Sequence, residues 1–341
     1  MGDIVAWLPY ASPAEAAMRL GGLPEGVRVD CYRADGDDYP TSLDEAQFYV
    51  LPYMKGAEVL ARAAEMTNLR VIQTLTAGYE NFLPYVPANT TLCNAAGVHD
   101  ASTAELAIAL TLASGRHLDA FARQQPAGRW EPIMGSALAD KRVLIVGYGR
   151  IGEAIERRLA GFEVASVTRV ARRARAGEPR VHATSELPAL IAAADVVIVI
   201  APLTPETEGM IDADLLGRMP ADSLLVNVAR GGLVDTDALI AETGTGRIRA
   251  ALDVTDPEPL PSDHPLWQIP NVLISPHVGG ASSAFWPRAD RLVAAQLRRF
   301  VAGEPLVNVI RGAELSEPVV ARTTAGSDKS EAIPTERPAR E

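Results

Sequence analysis

Cysteine is scarce in this chain, which has only Cys31 and Cys93 among its 341 residues. Two cysteines cannot build the disulfide framework of a small secreted domain, and their wide separation lacks the close spacing of a metal site. The scarcity fits a protein that works in a reducing compartment. We therefore expect neither a disulfide framework nor a metal centre.

Positive charge is also in deficit, because 32 lysines and arginines face 43 acidic residues for a net charge of −11. An acidic chain is a poor partner for nucleic acid or an anionic membrane. No apolar run approaches the roughly 18 residues of a membrane span. The segment 1–9 has an acid where a secretory signal needs basic residues. These deficits predict a cytoplasmic protein that binds neither nucleic acid nor membrane.

Apolar residues make up 48% of the chain and charged residues 22%, which is ordinary for a globular protein, and the length allows two domains. In the first 95 residues, short apolar runs alternate with helix-like stretches, which predicts a small parallel α/β unit. The predicted strands are Ile4–Leu8, Val27–Cys31, Phe48–Leu51, Leu69–Leu75 and Thr91–Asn94, and the predicted helices are Pro13–Leu20 and Ala57–Met66.

A second and stronger series of apolar runs follows a long helical segment, predicted from Ser102 to about Gln124, and an irregular segment over 125–140. Helical patterns lie between most of these runs, as a doubly wound dinucleotide-binding fold requires. The predicted strands are Val143–Val146, Val164–Thr168, Val196–Ile200, Leu224–Val228, Ala250–Val254 and Val272–Ser275, and the helices are Ile151–Ala160, Glu186–Ala193, Asp212–Met219 and Asp235–Thr243.

A last amphipathic stretch, Arg288–Val301, comes too late to belong to the second series, so we expect it to return and cover the first unit. The predicted domains are therefore a substrate domain of residues 1–97 plus 286–312, and a dinucleotide-binding domain of residues 98–285 inserted into it. The polar segment 313–341 lacks apolar periodicity, which predicts a disordered tail.

A glycine-rich turn lies between the first strand and the first helix of the second series, in the segment Lys141–Leu159. In such a turn Gly147 permits the tight bend, Gly149 lets the backbone approach a pyrophosphate, and Gly152 lets helix pack on strand. The free N–H groups at the start of the helix then face the anion. Strand before and helix after the turn favour dinucleotide binding over a plain structural turn.

The next strand predicts which dinucleotide binds. An NAD site has an acid near the end of this strand, yet no acid occurs from Val164 to Gly177. Thr168 stands where that acid is expected and leaves room for a larger group. Four arginines follow, among them Arg169 and Arg172, and guanidinium groups bind phosphate oxygens well. This pattern favours NADP(H) over NAD(H), with a solvated basic loop as the alternative.

Four further motifs occur in order downstream, at Ala201–Thr207, Val226–Asp235, Ala251–Pro259 and Asn271–Gly280. Together with the glycine-rich turn they closely resemble the D-isomer-specific 2-hydroxyacid dehydrogenase family, over roughly residues 45–310. The resemblance implies a Rossmann domain inserted in a flavodoxin-like substrate domain. It also implies hydride transfer between a nicotinamide cofactor and a small 2-hydroxy or 2-oxo acid.

Within that resemblance, Arg230 matches the substrate-binding arginine, Glu258 the acid partner, and His277 the general acid/base. The chemistry fits these residue types, because imidazole exchanges protons near neutral pH and a carboxylate on its other nitrogen fixes the tautomer. A guanidinium clamps a substrate carboxylate. Taken singly, each residue also has a structural interpretation: a loop histidine, a glutamate in a proline-rich turn, and an arginine at a strand end.

The resemblance assigns further residues to the two ligands. Ala77 and Gly78 match the loop whose N–H groups hold the substrate carboxylate, and a plain turn is the alternative there. Trp130 matches a region through which family members usually dimerise, so we expect a homodimer. The remaining cofactor-binding candidates are Thr103, Arg150, Ile151, Pro202, Thr207, Val228, Ala229 and Asp253.

The sequence thus predicts an NADPH-dependent reductase of glyoxylate, hydroxypyruvate or a similar acid. Two alternatives stay open. One is a cofactor-sensing binding protein without significant turnover, since the family includes transcriptional corepressors. The other is an NAD-dependent dehydrogenase of another 2-hydroxy acid. The segment 73–78 lacks the lysine of the related phosphite oxidisers, which makes phosphite a poor candidate substrate.

Overall fold

The computed structural model describes residues 4–36 and 39–312, and the predicted disordered tail 313–341 lies outside them. The strands are β1 (Ile4–Leu8), β2 (Val27–Cys31), β3 (Ala46–Val50), β4 (Val71–Gln73), β5 (Thr91–Cys93), β6 (Arg142–Val146), β7 (Ser166–Ala171), β8 (His182–Ala183), β9 (Val196–Val199), β10 (Leu224–Asn227), β11 (Arg249–Leu252), β12 (Val272–Ile274) and β13 (Val309–Arg311). The α-helices are α1 (Pro13–Arg19), α2 (Asp100–Gly115), α3 (Leu118–Gln124), α4 (Arg150–Leu159), α5 (Leu187–Ile191), α6 (Ala213–Arg218), α7 (Thr236–Gly244) and α8 (Phe285–Ala302).

The first sheet has the order β13-β5-β4-β3-β1-β2, in which β1 to β5 are parallel and β13 is antiparallel at the edge. The order of its parallel strands, 2-1-3-4-5, is that of a flavodoxin-like sheet. Most residues of β1, β3, β4 and β5 are buried, as expected where both faces of a sheet are covered, whereas the edge strand β2 is partly exposed. The predicted α/β class is therefore confirmed.

Helix α8 covers one face of this first sheet, as expected for the late amphipathic stretch. Its apolar residues, including Phe285, Val293 and Phe300, join a core cluster with residues of β1 and β3. Strand β13 then pairs with β5. The chain thus leaves the first sheet after β5 and returns to it through α8, while the domain boundaries at 97/98 and 285/286 stay a prediction.

The second sheet has the order β12-β11-β10-β9-β6-β7-β8, and all its strands are parallel. Renumbered from β6, this is the doubly wound order 3-2-1-4-5-6 with a seventh strand added at the edge. Two apolar clusters pack on its two faces. The order reverses between β6 and β9, and this switch point is where such sheets bind their ligands.

Two predicted helices differ from the structure. The segment predicted as one helix over Ala57–Met66 forms two short 3₁₀ turns, Ala57–Leu60 and Ala63–Glu65. The long helix predicted to run to about Gln124 ends at Gly115, because His117 adopts the left-handed conformation with φ of 55°. A single left-handed residue cannot continue a right-handed helix, and α3 starts afresh after it.

Several strands differ as well. The strand predicted over Val164–Thr168 is β7, which begins at Ser166 and continues to Ala171. Its register pairs Thr168 with Leu144 and Val170 with Val146. The alternation of polar and apolar residues in this segment is too weak to mark the strand end. The short strands β8 and β13 were not predicted from the sequence.

No helix in the described ranges is both long enough and apolar enough to cross a membrane. Among these same residues, no group of three or more His, Cys, Asp or Glu side chains is arranged to hold a metal ion.

Candidate active site

The glycine-rich turn joins β6 to α4 at the carboxyl edge of the second sheet. Gly147 has φ of 107°, and a Cβ there would overlap the backbone of Ile200 and Ala201. A Cβ on Gly152 would lie 2.8 Å from the Gly147 carbonyl oxygen, whereas Gly149 faces open space within 4 Å. Two of the glycines are therefore required by close packing, and the third leaves the N-terminus of α4 accessible to an anion.

Arg150 and Ile151 begin α4 and face in different directions. The Arg150 Nε donates to a carboxylate oxygen of Asp100 at 2.9 Å, and its guanidinium lies beside Gly97. Arg150 therefore links the turn to the N-terminus of α2. Ile151 is half-buried and packs against the apolar cluster on that face of the sheet.

The end of β7 lies beside the glycine-rich turn, because the N–H groups of Gly147 and Tyr148 both donate to the carbonyl of Val170 at 2.8 Å. Ala171 is the last residue of this strand, and the exposed Arg172 follows it. Thr168 lies three residues before the strand end. The position beside the turn is thus Ala171, and not Thr168 as the sequence predicted, because the strand starts and ends later than expected.

Arg169 is already engaged by other side chains. Its Nε donates to a carboxylate oxygen of Glu156 at 2.7 Å, its Nη2 forms a second bond with the same carboxylate, and the group lies 5.7 Å from the centre of the Tyr148 ring. The Glu156 pKa is lowered: burial alone would raise it, and the hydrogen bonds from Arg169 and Tyr148 outweigh that effect. Arg175 donates to the Tyr148 carbonyl at 2.5 Å.

The candidate acid/base pair comes from neighbouring strands. Glu258 follows β11 and His277 follows β12, and the two strands are adjacent. The Glu258 Oε1 lies 2.5 Å from His277 Nδ1, and each side chain is about 40% exposed, at 39% and 42%. The other imidazole nitrogen, Nε2, is therefore the one that can exchange a proton with a ligand.

Asp253 holds the loop that carries His277. This carboxylate, only 2% exposed, accepts from Ser275 Oγ at 2.6 Å and from the N–H groups of Val278 and Gly279 at 2.9 and 2.8 Å. The N–H of His277 donates to the Asp253 carbonyl at 2.7 Å. These bonds maintain the positive φ of His277, 51°, which is uncommon for a residue other than glycine.

Arg230 follows β10, the neighbour of β11, and its backbone is fixed by Asn227. The Asn227 side chain accepts from the Ala229 N–H at 3.1 Å and donates to the Arg230 carbonyl at 2.9 Å. A Cβ on the next residue, Gly231, would overlap the backbone carbonyl of Thr255. The loops that carry Arg230 and Glu258 are therefore in close contact.

The guanidinium of Arg230 reaches the first sheet. A Cβ on Gly78 would overlap Arg230 Nη2, so the guanidinium occupies the space that a side chain would fill. Glu80 lies nearby, with its Oε2 3.8 Å from Arg230 Nη2. The predicted substrate loop and the predicted substrate-binding arginine, which are about 150 residues apart in the sequence, thus meet in the structure.

The other cofactor-binding candidates line the same carboxyl edge. Thr103, at the start of α2, lies against Gly279 and donates to its carbonyl at 3.3 Å. Thr207 donates to the Pro202 carbonyl at 2.7 Å in the loop after β9. Val228 and Ala229 are buried directly after β10.

Two residues that the sequence did not single out lie next to this loop. The Tyr53 hydroxyl and His99 Nδ1 would be 2.7 and 2.6 Å from a Cβ on Gly280. His99 Nε2 bonds to the Leu75 carbonyl at 2.8 Å, and burial lowers the pKa of His99. The pKa of Tyr53 is raised by burial and by the nearby charge of Asp253. Neither residue belongs to a recognisable motif, so no sequence signal marked them.

Trp130 and Met134, in contrast to these buried side chains, are almost fully exposed to solvent. They are 97% and 95% exposed in the irregular segment between α3 and β6. Ile133 between them is also exposed, and contiguous exposed apolar patches mark interaction sites in soluble proteins.

The protein-family model described as D-isomer specific 2-hydroxyacid dehydrogenase, NAD binding domain, matches residues 108–279 of this chain. The chain is 34% identical over 268 residues to the glyoxylate reductase/hydroxypyruvate reductase of Homo sapiens. The aligned region covers 72% of this chain and 77% of that protein. The structure of the D-isomer specific 2-hydroxyacid dehydrogenase from Xanthobacter autotrophicus Py2, in complex with NADPH and MES, has a TM-score of 0.74 at 28% identity and covers 91% of this chain and 98% of that one. A D-isomer specific 2-hydroxyacid dehydrogenase family protein from Aeromonas salmonicida has a TM-score of 0.78 at 27% identity, with 91% and 99% covered.

Proposed function

The chain belongs to the D-isomer specific 2-hydroxyacid dehydrogenase family, and from that premise we propose that it reduces small 2-oxo acids to D-2-hydroxy acids with NADPH. The family makes it an oxidoreductase that acts on CH–OH groups with a nicotinamide cofactor. The observation that carries the proposal is the 2.5 Å contact between Glu258 Oε1 and His277 Nδ1 on the loops after β11 and β12.

The turn Gly147–Gly152 fits a dinucleotide. Gly149 has open space where a Cβ would point, and the first N–H groups of α4 are available there to bind a pyrophosphate. When bound, the nicotinamide cofactor supplies the hydride for reduction of the substrate carbonyl. The residues of this chain bind it, orient it against the substrate and handle the proton.

His277 is the proposed general acid in reduction and the general base in the reverse direction. With Nδ1 held by Glu258, Nε2 gives its proton to the oxygen on C2 as that oxygen becomes a hydroxyl. Glu258 stabilises the imidazolium and fixes the tautomer, as a carboxylate does for a catalytic histidine in hydrolases. The bonds to Asp253 hold the loop so that the imidazole keeps this orientation.

Arg230 is the proposed anchor for the substrate carboxylate. Its guanidinium lies against Gly78, so a carboxylate bound there contacts both the guanidinium and the Ala77–Gly78 loop. Such an anchor orients C2 toward His277 and the cofactor. Correct orientation alone accounts for a large part of the rate enhancement in many enzymes.

A preference for NADPH over NADH is supported by the end of β7. Ala171, beside the turn, has no carboxylate to accept from a ribose 2′-hydroxyl, and Arg172 and Arg173 follow it in the exposed chain. We assign the 2′-phosphate to Arg172. Arg169 does not bind the phosphate itself, because its guanidinium is already bonded to Glu156. It stabilises the site through its contacts with Glu156 and Tyr148. The related protein from Xanthobacter autotrophicus was solved with NADPH.

We also propose two domains, residues 1–97 with 286–312 and residues 98–285, that close over the substrate. The contact between Arg230 and Gly78 joins the two sheets at the site. Closure excludes water from the reacting groups during transfer. The exposed Trp130 and Met134 support a homodimer in which a second copy covers them.

A panel of 2-oxo acids assayed with NADPH and with NADH tests the proposal. The panel includes glyoxylate and hydroxypyruvate, because the human relative is named for both compounds. The expected result is turnover of at least one small 2-oxo acid with a higher kcat/KM for NADPH. Tight NADPH binding without turnover of any acid would contradict the proposal and favour a cofactor-sensing protein.

A further inference from the structure

In the segment Thr74–Gly78, which follows β4, all five backbone carbonyls are hydrogen-bonded to side chains. Thr74 Oγ1 donates to the Thr76 carbonyl at 2.8 Å, and Thr76 Oγ1 donates to the Gly78 carbonyl at 2.7 Å. Asn94 Nδ2 donates to the Ala77 carbonyl at 2.6 Å. The Leu75 carbonyl accepts from His99 Nε2, and the Thr74 carbonyl from Gln73 Nε2, both at 2.8 Å. The Thr76 carbonyl also accepts from the backbone N–H of Ala95 at 2.9 Å.

These bonds decide where the N–H groups of the loop point. In a trans peptide the carbonyl and the following N–H point in opposite directions, and the only cis peptides in the described ranges precede prolines elsewhere. Because Asn94 draws the Ala77 carbonyl inward, the Gly78 N–H points away from Asn94. The held Thr76 carbonyl does the same for the Ala77 N–H. Neither N–H has an acceptor among residues 4–36 and 39–312.

The guanidinium of Arg230 lies beside the part of the loop where we expect the substrate carboxylate to bind. Arg230 Nη2 occupies the space that a Cβ on Gly78 would fill, and Glu80 Oε2 lies 3.2 Å from the same position. Two convergent N–H groups with a guanidinium form an anion-binding concavity. The loop conformation therefore creates the binding geometry, and the residues that hold the carbonyls control it.

We propose that Asn94 is a positioning residue for the substrate carboxylate, acting through the Ala77–Gly78 peptide. This inference rests on the proposed function and adds to it a residue that does not touch the substrate. Asn94 is buried, with only 7% of its surface exposed, and its Oδ1 also accepts from the Ala96 N–H at 3.2 Å. Both ends of its amide are thus committed, which fixes the rotamer.

A buried amide network supports Asn94 from behind. The Gln73 side chain donates to the Asn94 carbonyl at 3.0 Å and accepts from Gln296 Nε2 at 2.8 Å. Gln73 and Gln296 are fully buried, and Gln296 belongs to α8. A buried amide that loses a partner is costly, so this network holds one arrangement of the loop.

The test compares Asn94→Ala with Asn68→Ala. Asn68 is a matched control because it also donates its amide to a backbone carbonyl, that of Asp44 at 2.6 Å, but precedes β4 at the opposite end of the strand. For Asn94→Ala we expect KM for the 2-oxo acid, and the Kd of oxamate in the presence of NADPH, to rise about tenfold, the effect of one well-placed hydrogen bond. The Kd of NADPH alone should stay within about twofold.

Three outcomes separate the possible failures. If the wild-type protein turns over no 2-oxo acid, the proposed function fails before Asn94 is tested. If the wild type is active and Asn94→Ala changes neither KM nor the oxamate Kd, the positioning role is wrong. If Asn94→Ala does not fold, Asn94→Asp serves instead, because it keeps an acceptor for the Ala96 N–H and removes the donor to the Ala77 carbonyl. Unchanged carboxylate affinity in that folded variant would likewise overturn the proposal.

Discussion

Arg230 and Gly78 come from different sheets and meet so closely that a methyl group on Gly78 would overlap the Arg230 guanidinium. Arg230 follows β10 of the second sheet, and Gly78 follows β4 of the first. The contact brings the charged side chain proposed to bind the substrate carboxylate against the Ala77–Gly78 loop, whose two N–H groups have no acceptor within the part of the chain that the structure describes. The proposed substrate site is thus built by both sheets, and neither sheet contains it alone.

Replacing Gly78 with alanine should damage substrate binding. The φ of Gly78 lies outside the left-handed region, so the added methyl acts through its overlap with Arg230 and not through backbone strain. We expect kcat/KM to fall about 100-fold, mostly through KM, with an unchanged NADPH Kd. Steady-state kinetics and cofactor titration check this. Gly244→Ala is the matched control, because a Cβ there meets nothing within 4 Å; a similar loss in both variants would refute the explanation.

Changes at the acid/base pair should act on kcat. We expect His277→Asn to lower kcat about 10³-fold, within the range of general acid–base catalysis, without weakening NADPH binding. Glu258→Gln keeps the size of the side chain but removes the charge that stabilises the imidazolium, so a loss of about 10²-fold is expected. Single-turnover measurements with saturating NADPH distinguish this from slow product release. An unchanged single-turnover rate in His277→Asn is incompatible with its assigned role.

Arg169 within β7 and Arg172 directly after it should differ in their effect on cofactor binding. Arg172→Ala is expected to weaken NADPH by about tenfold or more and to leave NADH unchanged, because it removes a ligand of the 2′-phosphate. Arg169→Met breaks the pair with Glu156 and should weaken both cofactors to a similar, smaller extent. Fluorescence titration with each cofactor measures the four constants. Equal loss of NADH and NADPH in Arg172→Ala would argue against the phosphate site.

Burial of His99 predicts a pH dependence of stability. Burial disfavours the imidazolium and lowers the pKa of His99 in the folded state below the unfolded value of about 6.5. Below that value the unfolded chain binds the extra proton, so stability is full above it and falls as the pH drops toward the folded pKa. We expect a slope of up to about 1.4 kcal/mol per pH unit immediately below about pH 6.5.

Urea unfolding across this pH range tests the contribution of His99. His99→Phe keeps an aromatic ring beside Tyr53 and Phe285 and should remove this part of the slope, although it also loses the bond to Leu75. His117→Asn is the control, since asparagine tolerates the left-handed conformation of that position. If both variants retain the wild-type slope, His99 is not its source.

Trp130 should determine the oligomeric state. Trp130→Glu places a charge on a side chain that is 97% exposed and that we expect a second copy to cover, so the dimer should dissociate. Light scattering after size-exclusion chromatography measures the mass. Met18→Glu changes another exposed apolar side chain, 75% exposed on α1, and should leave the mass unaltered. A wild-type protein that is monomeric at all concentrations would contradict the expectation.

Much of the fold follows from local patterns. Short apolar runs between helical stretches predicted the strands, and β1 and β2 begin and end where the patterns do. Elements without a strong period were less predictable, as the 3₁₀ turns at Ala57–Leu60 and the break at His117 show. These depend on individual backbone conformations that tertiary packing selects.

The sequence by itself determined the two sheets, the glycine-rich turn and the order of the motifs that carry Arg230, Glu258 and His277, because each depends on residues close together in the chain. Only the tertiary structure decided which side chains meet. It paired Arg169 with Glu156, aligned Ala171 rather than Thr168 with the turn, and directed Arg230 onto Gly78. Such contacts join residues far apart in sequence, and they depend on strand register and sheet order that local periodicity does not encode.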